Sequence, residues 1–239
     1  MEAIQALVIS LPGSVDRQEK ARSELAQTNL NWRFLDAIKG SALITRPVEY
    51  QPEKVKQLLG FELTASELGC FLSHKKAWQI CVDDNIPTII FEDDFRLLPH
   101  FEKTISYLMH DYTAWGAIRL QGLHPVPQDA VNSFDDIKLV QNKADAVGAS
   151  AYILKPAQAK LLIEAAVDIY EPLDHFLEHH QVHHVNFLAI QPYPVGITGD
   201  ESTILDRPGR LPIKGVAKLK RSLARSADRL LSSRPWFPK

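Results

Sequence analysis

Two stretches of this 239-residue chain concentrate side chains capable of chemistry. The first is Thr88-Ile89-Ile90-Phe91-Glu92-Asp93-Asp94, an apolar run ending in three carboxylates. Hard oxygen ligands of this kind suit Mg²⁺ or Mn²⁺, ions that usually keep water and ligand phosphates in their shell. An ion bridging protein carboxylate to diphosphate would let an acidic protein bind an anionic nucleotide. It would also neutralise charge growing on a leaving diphosphate. Acidic triplets also serve as solvated turns or helix caps, but this one follows a strand, and in open α/β sheets ligands bind beyond the carboxyl ends of strands. Side chains alternate along extended chain, which puts Glu92 and Asp94 on the same side.

The second stretch is DHFLEHHQVHH, residues 174–184, with five of the nine histidines. His175-Phe176-Leu177-Glu178-His179 spells H-x-x-E-H, a pattern of one group of zinc peptidases. On a continuous helix His175, His179 and His183 would share a face. Glu178 would then be the water-activating base and Glu201 a distant third ligand, making a metal-dependent hydrolase on His175–His184. The plainer reading, a surface helix or helix-to-strand turn with solvated imidazoles, is preferred.

The elements that must position these groups follow from hydrophobic patterning. Ala6–Leu11 is a short apolar run bounded by Pro12-Gly13 and reads as a buried first strand, with Ser14 placed to cap a helix. A second strand is expected near Trp32–Ile38. Thr64-Ala65-Ser66-Glu67 has the spacing of a capping box and predicts a long helix to about Val82. Pro87–Phe91 is a third strand, carrying the acidic triplet at its end. Further strands are expected at Ala117–Leu120, Ala149–Leu154 and Val185–Ile190, and helices at His100–His110, from Pro156 through Val167, and near Leu173–His180. Strands alternating with helices imply a layered α/β domain with a mostly parallel sheet. No Gly-x-Gly-x-x-Gly or phosphate-binding loop pattern occurs, so a nucleotide must be held by other means.

Composition is that of an ordinary globular protein. Two cysteines, Cys70 and Cys81, give no disulfide framework and fit a reducing compartment. The opening residues read as neither signal peptide nor membrane anchor, and no apolar run approaches a spanning length. Charge is uneven. Residues 207–239 hold ten Lys or Arg against one acid, Asp228, a net +9, whereas 1–206 carries −11. The expected division is therefore a body, 1–206, and a basic tail, 207–239.

Several segments resemble glycosyltransferase family 25, which includes bacterial lipooligosaccharide galactosyltransferases and collagen galactosyltransferases. Val8-Ile9-Ser10-Leu11 with Asp16-Arg17 is similar to the family's opening strand. Leu63–His74 with Trp78 closely resembles its "L-T-x-G-E-I-G-C-x-L-S-H…W" segment. Ile89–Asp94 resembles its hydrophobic-E-D-D motif, Ala151–Leu162 its "Y-I-I-S-x-x-G-A-x-K-L-L", and Pro172-Leu173-Asp174 its P-[IV]-D. The ordered likeness runs over residues 4–205. Ser10 stands where the family has asparagine, and four residues separate Leu11 from Asp16. Ser66 replaces a glycine, and Lys155-Pro156 replaces a small-polar pair.

The resemblance implies a GT-A-like nucleotide-diphospho-sugar transferase fold over 1–206. It also implies a divalent metal and inverting transfer of a hexose, with UDP-galactose as donor and a lipooligosaccharide or LPS core acceptor. Carried over residue by residue, Glu92 and Asp94 are the metal candidates, and Ser10, Arg17, Glu67, His74 and Asp93 the donor-binding candidates. Asp174 and Glu201 are candidates for the base, with Asp200 as a further rival. Glu67 also fits as capping-box acid, and His74 as a structural histidine.

In the tail, Val216, Leu219, Leu223, Ala227 and Leu230 form one helical stripe opposite Lys218, Arg221, Arg225 and Arg229, with Trp236 and Phe237 following. Such a helix suits an anionic bilayer surface. Docking on the acidic body is the alternative. No nucleic-acid partner is expected, because no aromatic-basic sheet or groove-reading motif accompanies the tail. The expected location is cytoplasmic, peripheral on the inner membrane face, where a lipid-linked glycan acceptor would lie. A non-catalytic glycan- or membrane-binding module is a further alternative.

Overall fold

A computed structural model describes residues 4–199. Asp200, Glu201 and the basic tail lie outside the described residues.

The chain begins with a βαβ unit. Strand β1 (Gln5–Ser10) leads through helix α1 (Val15–Leu25) to the parallel strand β2 (Asn31–Asp36). Every residue of β1 is buried, as a strand covered on both faces requires. Leu7 and Ile9 face one core while Ala6 and Val8 face the other. Ser14 stands at the N-cap of α1, but its side chain makes no capping hydrogen bond.

After β2 the chain passes through a 3-10 turn, Gly40–Ala42, and helix α2 (Pro52–Leu59), which has proline in its first turn and left-handed Gly60 (φ 82°) as its cap. The long helix α3 (Ala65–Asp84) follows. Its capping box is complete: Thr64 Oγ1 accepts from the Glu67 amide at 3.1 Å, and Glu67 Oε2 accepts from the Thr64 amide at 2.8 Å. Two glycines let the chain after β2 lie against the first turns of α3. A Cβ on Gly40 would sit 2.1 Å from the Ala65 carbonyl oxygen, and one on Gly69 would sit 2.4 Å from that of Ile38. Ser73 completes the junction, its Oγ accepting from the Ile38 amide at 2.8 Å.

Strand β3 (Thr88–Glu92) pairs parallel with β1. It turns at once into β4 (Phe95–Leu97), which pairs with β10 (Val195–Ile197) in a separate two-stranded sheet. Helix α4 (Phe101–His110) leads to β5 (Ala117–Arg119). A hairpin of β6 (Gln128–Phe134) and β7 (Ile137–Asn142) precedes β8 (Ala151–Leu154), helix α5 (Pro156–Ala165) and β9 (Phe187–Gln191). Among the described residues the main sheet has eight strands, in the order β2-β1-β3-β8-β5-β9-β7-β6. Only β8 and β7 run against the rest, so the sheet is mostly parallel in direction. The expected α/β class with a mostly parallel central sheet is the observed one.

The sheet separates two apolar cores. On one side Ile90, Tyr152 and Leu154 pack with Phe71 and Trp78 of α3, Leu162 of α5 and Phe176. On the other, Ile89, Phe91 and Ile153 pack with Leu25 of α1 and Ile105 and Leu108 of α4. The period-two alternation of β3 and β8 assigns each side chain to its core.

Candidate functional site

The carboxyl ends of β1 and β3 and the start of α3 enclose an open cleft of about 350 Å³. Ser10 and the acidic triplet form its floor, and Arg17, Lys39, Cys70 and His74 line its walls. The βαβ unit places Arg17 on the first turn of α1, directly above the end of its own strand.

The three acids are held differently. Asp93 is buried and paired within the protein: Ser10 Oγ donates to Oδ2 at 2.6 Å, and Arg17 Nη1 lies 2.9 Å from Oδ1. Glu92 is braced by three neighbours. Ser150 Oγ donates to its Oε2 at 2.9 Å, Cys70 Sγ stands 3.6 Å from Oε1, and His74 Nε2 lies 3.5 Å from that same oxygen. Burial pushes the Glu92 carboxyl up, but the His74 imidazole, Ser150 and Cys70 outweigh it and hold the group below its ordinary range. The Cys70 thiol is pushed well up, first by burial and then by the Glu92 charge. Asp94 differs from both: its Oδ1 is buried and makes no hydrogen bond. Burial, reinforced by the charge of Glu92, raises the Asp94 carboxyl to about 6.

A polar string runs inward from Glu92. His74 is fully buried, and its Nδ1 lies 2.8 Å from the Tyr152 hydroxyl. That hydroxyl accepts a 2.8 Å hydrogen bond from Trp78 Nε1. Trp78, His74 and Cys70 lie on one side of α3 at helical spacing, and Tyr152 comes from β8.

The other candidates fall as follows. Glu67 closes the capping box rather than lining the cleft, while its neighbour Ser66 does line it. Asp174 lies on a single helical turn, α6 (Leu173–Phe176), that packs on α3. Its Oδ1 accepts from the His175 amide at 3.0 Å, and its charge contributes to raising the Cys70 thiol. Asp174 and the triplet therefore approach the same part of α3. Glu201 lies outside the described residues. Among the cleft residues not expected at the site from the sequence are Cys70 and Lys39, and Ser150 bonds to Glu92 from the start of β8. Cys70 carried a legible signal: it sits four residues before His74 on the predicted helix.

The short helix expected near Leu173–His180 is a single turn, and the histidine segment does not form the continuous helix that the zinc reading requires. It breaks into α6 and a second single turn, α7 (His180–His183), so His175, His179 and His183 do not share a face. Glu178 turns inward to Arg119, 3.0 Å away, and accepts from the Val147 amide at 2.9 Å. His179 Nδ1 lies 2.7 Å from Glu171. His183 is buried, its Nδ1 accepts from the Val185 amide, and burial depresses the imidazole to about 3. Among the described residues, the group able to gather three metal-ligating side chains is Cys70, His74 and Glu92, with none from the histidine segment.

A family model described as glycosyltransferase family 25 (LPS biosynthesis protein) matches residues 3–177. The chain is similar to lipooligosaccharide biosynthesis protein lic2B of Haemophilus influenzae, 37% identical over 100 residues, which is 41% of this chain and 36% of that protein. It is 25% identical to procollagen galactosyltransferase 1-A of Xenopus laevis over 232 residues, 84% of this chain and 38% of the relative. It is 30% identical to inactive glycosyltransferase 25 family member 3 of Homo sapiens over 186 residues, 72% of this chain and 31% of the relative. The chain spans about a third of the length of these curated relatives. With the acidic triplet, the whole of α3 and Asp174 inside the span that the family model matches, the chain belongs to glycosyltransferase family 25.

Proposed function

We propose that the cleft binds a UDP-sugar and that the protein transfers its hexose, galactose, with inversion onto a lipid-linked glycan of the lipooligosaccharide or LPS core type. The observation that carries this reading is the buried, unpaired Oδ1 of Asp94 beside a second carboxylate at the end of a central strand. A buried carboxylate without a partner is costly, and a Mn²⁺ or Mg²⁺ ion with a diphosphate in its shell would offset that cost. Asp94, with Glu92, would hold the ion, which supplies charge neutralisation for the leaving diphosphate.

The chain's own residues supply the remainder. Arg17 and Lys39 bring positive charge to the cleft wall, and Asp93 with Ser10 fixes the Arg17 guanidinium in place. Asp174 is the proposed base. It accepts the proton of the acceptor hydroxyl as that oxygen bonds to the anomeric carbon and the bond to the diphosphate breaks. Asp200 and Glu201 are its rivals. The body would work in the cytoplasm, with residues 207–239 resting on the anionic inner face of the membrane.

The test is a panel of UDP-sugars with Mn²⁺, measuring binding and slow donor hydrolysis by the full chain. UDP-galactose is expected to bind and to be hydrolysed. Absence of both across the panel overturns the reading, and binding without hydrolysis or transfer points to a non-catalytic glycan-binding module. The similarity to a relative named as inactive makes turnover the decisive readout.

A further inference from the structure

Beside Asp94 the cleft holds a second set of ligand atoms of different chemistry. Cys70 Sγ, His74 Nε2 and one Glu92 oxygen all lie within 4.8 Å of one another. Two edges of this triangle are known: 3.6 Å from sulfur to Glu92 Oε1, and 3.5 Å from His74 Nε2 to the same oxygen. A tetrahedral zinc ion with bonds of about 2.0–2.3 Å needs ligand–ligand edges of about 3.3–3.6 Å. The two edges to Glu92 meet this, and the third, from sulfur to Nε2, is at most 4.8 Å.

Three further observations favour a thiophilic ion here. Cys70 and His74 are four apart on α3, so one rigid helix presents both. His74 is fully buried, yet its Nε2 makes no hydrogen bond and points to the Glu92 oxygen. Its other ring nitrogen is fixed by the Tyr152 hydroxyl at 2.8 Å, itself fixed by Trp78 at 2.8 Å. A metal-bound histidine needs such an outer partner to set ring orientation and tautomer. All three residues line the cleft, from which a water or ligand oxygen could supply a fourth ligand.

The geometry points to Cys70, His74 and Glu92 as a binding site for a borderline divalent ion, Zn²⁺, which shares Glu92 with the proposed all-oxygen site but takes sulfur and nitrogen in place of Asp94. Sulfur and imidazole nitrogen favour Zn²⁺ over Mg²⁺ and Mn²⁺. Loading releases the Cys70 thiol proton to solvent. It also takes the Nε2 lone pair of His74, leaving the imidazole proton on Nδ1, where the Tyr152 oxygen accepts it. This assignment does not rest on the UDP-sugar reading.

Co²⁺ is the probe, added to the full-length reduced protein and followed by absorption. One equivalent is expected to give a thiolate-to-cobalt charge-transfer band with intense tetrahedral d–d bands, both bleached by one equivalent of Zn²⁺. The charge-transfer band should vanish in Cys70→Ser and persist in Cys81→Ser and in Asp94→Asn. Circular dichroism of Cys70→Ser confirms that it is folded. No charge-transfer band in the wild type, or a band retained in Cys70→Ser, overturns the assignment and leaves the three groups as a hydrogen-bonded brace for Glu92. Loss of the band in Asp94→Asn overturns the assignment of the ion to Cys70, His74 and Glu92 without Asp94.

Discussion

Arg17 Nη1 sits 2.9 Å from Asp93 Oδ1, so the middle acid of the triplet is paired inside the protein while Asp94 beyond it keeps an unpaired oxygen. Adjacent residues of like charge are thereby given different work. Asp93 is tied to Ser10 and Arg17, and in the proposed function Asp94 is the acid left for a ligand.

Asp94→Asn is expected to lower hexose transfer by about a hundredfold or more, the scale for removing one preorganised electrostatic group. The fold should be retained. Steady-state rates with Mn²⁺ and UDP-galactose, alongside circular dichroism, check this; transfer within twofold of wild type would remove Asp94 from the reaction.

The raised Asp94 carboxyl gives a signed pH effect. Its native value, about 6, lies above the ordinary 3.8, so the native state holds the proton more tightly than the unfolded chain. The metal-free protein should therefore gain stability from this group as pH falls through 6, with the gain complete near 3.8. Above pH 6 the ionised group is a standing cost. Asp94→Asn should flatten this contribution, measured as the difference between thermal melting profiles of the two proteins across that range. A difference that does not vary with pH would refute it.

Tyr152→Phe removes the hydroxyl between Trp78 and His74 and strands two buried polar groups. A loss of about 1–3 kcal/mol is expected, read from the midpoint of urea unfolding at unchanged slope. An unchanged midpoint would mean that the string contributes nothing to stability.

Truncating Glu178 to Ala leaves the Arg119 guanidinium, 2% exposed, without its ion-pair partner, though Nη1 still donates to the Gly148 carbonyl. Breaking a buried ion pair from one side costs about 3–5 kcal/mol. Chemical denaturation should show that loss, while any zinc uptake by the protein should be unaffected. A zinc-dependent hydrolytic activity abolished by this change would restore the H-x-x-E-H reading.

Gly69→Ala and Gly40→Ala test the junction between β2 and α3. Each new methyl would meet backbone rather than a flexible side-chain tip. Overpacking against an immovable neighbour costs about 1–3 kcal/mol, and denaturant midpoints should fall accordingly. Because the junction forms one wall of the cleft, donor affinity should fall with it.

The sequence made the inner part of the molecule legible. The capping box at Thr64–Glu67, the buried run of β1 and the triplet after β3 depend on local pattern, and local pattern is what neighbours along the chain determine. Features set by distant pairing were not legible. The β6–β7 hairpin carries mostly exposed residues on β6, so it lacks the alternation that marks a strand. The short β4 and β10 exist only because they pair with each other. The break in the histidine segment is not legible either, because helical spacing runs on through Leu177–His179 in the sequence. There the chain instead stops and restarts, with Glu178 drawn to Arg119. Ser150 was invisible as a site residue because its role depends on the direction in which β8 runs.

That direction has a consequence for how the protein can diversify. Since β8 is antiparallel to both β3 and β5, the segment entering it, 143–150, arrives at the end of the sheet where the cleft opens. Changes in length or composition there can reshape the approach to Glu92 while the strand ladder and both cores stay as they are. A lineage can thus rewrite the approach to a strand with the scaffold that holds the acids left untouched.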